Sequence, residues 1–301
     1  MLHNRASANA IINKVMSNAK GIGESKSRAK SESNITGQNG QNISSKAHSI
    51  SSTQNLRTVT TQYVNFVKEA YQGKPLKNIN TESMKAFIDY KIDKGLTLPS
   101  ANTYISELGK FADNLNQLNQ NAVTREDITS FRAELKETYG TLQSPHKDRT
   151  NADTQAILNE MRNTPYALSA DLQAKAGLRA DDALNLDKLT INSDNTITVH
   201  GSKNGLDYNT APLSDELILR VEQAKENGYN VSYSDYREAL KEAVENTNQE
   251  FKGTHSLRYD YANITHEKNL ENGLTDSESK SQISLNMGHS REEITEHYLK
   301  R

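Results

Sequence analysis

The sequence has no cysteine, so a disulfide framework, a thiolate nucleophile and cysteine-held zinc are all excluded. That absence fits an intracellular protein and sets the expectation of a cytoplasmic one. No apolar run of about 18 residues appears, which argues against insertion into a membrane. The opening MLHNRASANAIINK lacks the continuous apolar stretch of a secretory signal. Neither sign of charge dominates: 36 basic residues stand against 38 acidic ones, for a net charge of −2. This counts mildly against a nucleic-acid protein, for which an overall basic balance is usual, but distribution matters more than the sum. Residues 1–55 are poor in acids, with Glu24 and Glu32 against Arg5, Lys14, Lys20, Lys26, Arg28, Lys30 and Lys46, while the acidic excess falls within 214–227 and 234–250.

A chain of 301 residues suits two domains with some additional length. Residues 17–55 are rich in Ser, Asn, Gln, Lys and Gly and poor in large apolar side chains. Such a composition buries too little surface to offset its ordering entropy. Residues 1–55 are therefore expected to form a flexible basic arm, a solvated linker or a tail that meets DNA or a partner. From residue 57 the pattern turns helical, with Val59, Tyr63, Phe66 and Val67 recurring at three- and four-residue steps. A second helix is expected after a cap at Asn80 or Thr81, stopping at Gly95, and a third with Tyr104, Leu108 and Phe111 inward. A fourth enters through Thr124, with Asp127 three residues on as a relative of the capping box. Residues 56–142 thus read as a helical domain.

A second domain is expected over 150–301, after a loop at 143–151. Two helices lead into a stretch from 188 to 213 whose period shifts toward two, with turn-forming SDN and SKNG between the apolar runs. That is a small three-stranded antiparallel sheet. Helices return at 214–227, 233–249, 255–270, 275–287 and 290–299. The fold class is mainly α with a small antiparallel β-sheet.

Four strings in this second domain carry chemistry: AGLRADDALNL at 176–186, ITVHGSKNGLDYNTAPL at 197–213, HSLRYDYA at 255–262 and NMGHSREEITEHYLK at 286–300. Between them they supply arginines, lysines, histidines and tyrosines. Breaking a phosphodiester needs a nucleophile, neutralisation of charge building on the phosphoryl oxygens, and a proton for the departing oxygen, and these residue types supply all three. A phenol can attack if an electropositive pocket or a base activates it. Guanidinium groups donate two parallel hydrogen bonds to an oxyanion and stay charged. A lysine on a hairpin flanked by Gly201 and Gly205 can approach DNA closely.

In this order and at these distances the strings resemble the motifs of the tyrosine recombinase (phage integrase) family. The resemblance covers the chain from about residue 57 to its end. It implies a helical core-binding, DNA-binding domain followed by an integrase-like α+β catalytic domain. Tyr298, nine residues after His289, would be the nucleophile. Arg179 and Arg258 would clamp the phosphate, His255 would help proton transfer, His289 would hydrogen-bond the phosphate and Lys203 would protonate the leaving 5′ oxygen. Asp182 would orient an arginine, and His266 and His297 match no motif position. The implied partner is double-stranded DNA, bound by a homo-tetramer on two paired sites, with no cofactor and no metal. The sequence departs from the pattern in a longer span between Arg258 and His289, in Tyr259 where a histidine is common, and in having only Leu299, Lys300 and Arg301 after Tyr298. Other readings are a non-catalytic DNA-binding regulator of mobile-element origin, a type IB topoisomerase-like DNA-relaxing enzyme, and a helical interaction protein with chance motifs.

Overall fold

The computed structural model describes residues 6–37, 40–72, 75–118, 123–140, 148–289 and 292–299. The chain divides into two compact units, Met1–Pro145 and His146–Arg301. The expected loop at 143–151 falls, through residue 147, outside the described residues, as do Arg5, Lys300 and Arg301.

The first unit is helical among its described residues: α1 (Ala8–Asn18), α2 (Lys26–Ser31), α3 (Ile50–Ala70), α4 (Pro75–Asn78), α5 (Thr81–Asp93), α6 (Leu98–Asn116) and α7 (Arg125–Tyr139). Their ends follow from local chemistry. Asn80 and Ser83 form a reciprocal capping box at the start of α5, and Thr124 with Asp127 does the same for α7, satisfying amide groups that have no partner inside the helix. The core is aromatic: the Tyr63 ring lies 5.5 Å from Phe87 and 5.6 Å from Phe111, and its hydroxyl meets Ser83 Oγ at 2.7 Å.

Residues 1–55 differ from the expected arm. Ile11, Ile12, Val15 and Met16 on α1 are buried in the same core as α3 and α6. Their spacing puts them on one helical face, a signal that the polar average of the segment hides. The chain near Ala19, Ser45 and Ala47 is held by hydrogen bonds: Ala47 N–H donates to Ala19 O at 2.8 Å, and Asn114 Nδ2 on α6 donates to Ser45 O at 2.8 Å. The two acids of the segment pair with its own cations, Glu24 with Lys46 and Glu32 with Arg28, each at 2.7 Å. Truncating a fully buried isoleucine costs roughly 2–5 kcal/mol, so Ile11→Ala should lower the stability of the first unit by about that amount in urea denaturation. An unchanged midpoint would return α1 to a solvated arm.

The second unit wraps helices around a small sheet: α8 (Thr154–Met161), α9 (Ala167–Ala176), α10 (Ala180–Ala183), β1 (Leu189–Ile191), β2 (Ile197–Val199), β3 (Tyr208–Asn209), α11 (Asp215–Glu226), α12 (Tyr233–Asn246), α13 (Ser256–Glu271), α14 (Asp276–Asn286) and α15 (Glu292–Glu296). The three strands are antiparallel in the order β1-β2-β3, with Leu189 opposite Val199 and Val199 opposite Tyr208. Leu189, Ile197 and Val199 turn into a core shared with Leu168, Leu172 and Val221, while Tyr236, Leu240 and Leu257 join α8, α9, α12 and α13 in another. Asp260 on α13 accepts hydrogen bonds from the Asn151 amide at 2.7 Å, Asn151 Nδ2 at 2.6 Å and Thr154 Oγ1 at 2.8 Å. This carboxylate fixes α13 to the start of the unit.

Candidate active site

The site forms where α10, the β2–β3 hairpin, α13 and the α14–α15 connection meet. α9 ends at Gly177, whose φ of +65° favours glycine and turns the chain so that Arg179 sits extended at the head of α10. Arg179 Nη1 donates to Ser202 Oγ at 3.0 Å and Nη2 to Gly288 O at 3.2 Å. Ser202 Oγ in turn donates to Asp182 Oδ2 at 2.6 Å, whereas Asp182 Oδ2 lies 3.9 Å from Arg179 itself. The buried acid therefore orients the arginine mainly through a serine on the hairpin.

Arg258 is the largest fully buried side chain among the described residues. Its Nη1 donates to Gly177 O, and its Nη2 to Met287 O at 2.6 Å and to His289 Nε2 at 3.0 Å. Among the described residues two backbone carbonyls and no carboxylate hold it, so no acid there neutralises its charge. Burial first, and the charge of Arg258 second, lower the pKa of Arg179. Two guanidinium groups that act on one another in this way make the neighbourhood electropositive.

His289 follows a glycine that ends α14. The amide of Gly288 donates to Leu285 O at 3.0 Å and that of His289 to Ser284 O at 2.9 Å, the paired bonds of a Schellman motif. The imidazole bonds Arg258 through Nε2 and Thr295 Oγ1 through Nδ1 at 2.9 Å. Burial, then Arg258, Arg179 and Lys203, push its pKa down to about 3, so it is neutral at pH 7. His255 heads α13, and its pKa is lowered by burial first and then by Arg258, Arg149, Arg179 and Lys203.

Tyr298 is half-buried. Its ring centroid lies 5.0 Å from that of His289, 4.4 Å from that of Tyr259 and 5.6 Å from Arg258 Cζ. Its carbonyl accepts from Asn263 Nδ2 of α13 at 2.7 Å, and its amide donates to Thr295 O at 2.9 Å. Tyr259, the departure from the usual histidine, thus forms one wall of the tyrosine's seat.

The structure brings Arg179, Arg258, His255, His289 and Tyr298 into one neighbourhood. Lys203 stands exposed at the start of the hairpin turn, where its charge reaches both histidines. His266 instead bonds Ser279 Oγ at 2.8 Å and faces Asp276 at 3.3 Å. Four contributors escaped sequence reasoning: Ser202, Thr295, Tyr208 and the exposed Arg149, whose charge reaches His255 and Tyr259. Tyr208 lies beneath Arg179, with 5.9 Å from ring centroid to guanidinium carbon, and against Gly288. Only Thr295 left a trace, three residues before Tyr298 in the same string.

Gly288 has a φ of +60°, and a Cβ there would come within 2.4 Å of the Tyr208 ring. Backbone strain of this kind costs roughly 1–3 kcal/mol, so Gly288→Ala should lower the melting temperature of the second unit and loosen Arg179, whose carbonyl partner it carries. Unchanged thermal unfolding would show that the ring and the turn relax freely.

No protein-family model matches the sequence, and no curated protein matches it. Solved structures do match. Lambda integrase, as a tetramer bound to a Holliday junction, aligns with a TM-score of 0.59 at 16% identity, over 84% of this chain and 73% of that one. Tn1549 transposon integrase in complex with a circular intermediate DNA aligns with a TM-score of 0.54 at 12% identity, over 96% of this chain and 95% of that one. The chain has the fold of the tyrosine recombinases, mainly helical with one small antiparallel sheet.

Proposed function

We propose that this chain is a DNA strand-exchange enzyme of the tyrosine recombinase type. The observation that carries the reading is the seating of Tyr298 on His289 and Arg258 of its own chain, beside Arg179. In the reaction, the Tyr298 oxygen attacks a backbone phosphate of double-stranded DNA. The bond between phosphorus and the tyrosine oxygen forms as the bond to the 5′ oxygen breaks, leaving a 3′-phosphotyrosyl link and a free 5′-hydroxyl. Arg179 and Arg258 neutralise the charge that builds on the phosphoryl oxygens. His255, neutral in its cationic surroundings, helps move the phenol proton, and Lys203 on the hairpin supplies the proton to the departing oxygen. Attack by a partner strand's hydroxyl reverses the step. One ester is exchanged for another, so no high-energy cofactor is consumed.

Four protomers on two paired DNA sites complete the proposal, in keeping with the lambda integrase tetramer on a Holliday junction. The test is recombination between two sites in EDTA. Because arginine, lysine and histidine side chains are assigned the charge and proton work, recombinant product should form at an unchanged rate. Relaxation of supercoils without recombinants would favour a monomeric DNA-relaxing enzyme. Activity that appears only with added magnesium would favour a metal-dependent nuclease.

A further inference from the structure

The hydrogen bonds around His289 fix where its proton lies. Arg258 Nη2 can only donate, so Nε2 at 3.0 Å must accept and carries no proton. A neutral imidazole then has its proton on Nδ1, which faces Thr295 Oγ1 at 2.9 Å. With that proton on Nδ1, the buried Thr295 Oγ1 is the acceptor in the DNA-free protein. This tautomer is the wrong one for contacting a phosphate, because a bare Nε2 and a phosphoryl oxygen are both acceptors.

We infer that Thr295 is a positioning residue that selects the tautomer of His289, its hydroxyl reversing from acceptor to donor when a phosphate oxygen arrives at Nε2. One proton leaves Nδ1 and one reaches Nε2 by exchange with water, with no net change in charge. The Arg258 N–H that had been spent on Nε2 turns to the same phosphate. A hydroxyl serves both states because it donates and accepts. A valine serves neither, and a one-way acceptor would lock the first. Thr295 also binds the nucleophile's segment, since its carbonyl accepts from the Tyr298 amide at 2.9 Å. The residue that sets the histidine's proton is thus on the helix that delivers the tyrosine. The inference rests on the strand-exchange reading for its phosphate, but not for its DNA-free state.

Long-range proton–nitrogen spectra of the full chain, with His289 assigned through a His289→Gln variant, read the tautomer directly. Without DNA, Nδ1 of the wild type should be protonated and Nε2 bare; a protonated Nε2 would overturn the inference. Single-turnover cleavage then compares Thr295→Val, which keeps the buried shape, with Thr295→Ser, which keeps the hydroxyl. Valine should slow cleavage about tenfold, the scale of one lost hydrogen bond, with DNA affinity unchanged, and serine should restore it. Equal rates for valine and wild type would overturn the inference. A wild type that forms no covalent adduct would instead sink the strand-exchange reading, while the spectra still decide the tautomer.

Discussion

Tyr298→Phe should abolish covalent attachment to DNA while leaving DNA affinity nearly unchanged. The phenylalanine ring keeps the contacts that seat the tyrosine, with Tyr259 at 4.4 Å, His289 at 5.0 Å and Arg258 at 5.6 Å, so the pocket has no reason to collapse. What is lost is the oxygen proposed to attack phosphorus. DNA affinity in such an enzyme comes mainly from phosphate contacts spread over the binding surface, and one hydroxyl contributes little to them. A nicked suicide substrate traps the adduct, a denaturing gel displays it, and a salt titration checks affinity. An adduct that persists in the mutant would remove Tyr298 from the nucleophile's role.

Arg258→Lys should slow single-turnover cleavage by about a hundredfold or more, the scale of losing one donor to a developing oxyanion. Charge is conserved, yet the planar fork is not. The buried guanidinium reaches Gly177 O, Met287 O and His289 together, a span that a single ammonium cannot cover. At least one buried carbonyl would then lose its donor, so a fall in stability should accompany the fall in rate. Arg179→Lys should slow cleavage on a similar scale, because its two donors face Ser202 and Gly288 in different directions. Near-normal cleavage by both variants would contradict the clamp.

Much of the fold was legible because its causes are local. Thr124 and Asp127 announce the start of α7, Gly95 the end of α5, and the change of period between 188 and 213 the three-stranded sheet. The grouping of the candidate residues was legible in part, since the chemistry proposed for them rests on residue types at short spacings, such as His255 with Arg258 and His289 with Tyr298. Contacts between distant segments left no such signal. Arg179 reaches Gly288 across 109 residues, and Ser202 reaches Asp182 across 20. Tyr208 reads as an ordinary strand residue until Gly288 is folded against its ring. Helix α1 was missed for a different reason. Its apolar face is compact, and the Ser-, Asn- and Lys-rich chain around it dominated the composition.

The central claim is that a phosphotyrosyl bond forms at Tyr298 in particular. The most direct measurement digests the trapped adduct with nuclease and protease and locates the attached nucleotide by mass spectrometry. A 3′-phosphonucleotide on the Tyr298 side chain is the expected result. The same mass on Tyr259, which stacks against it at 4.4 Å, or on any other residue, would contradict the account.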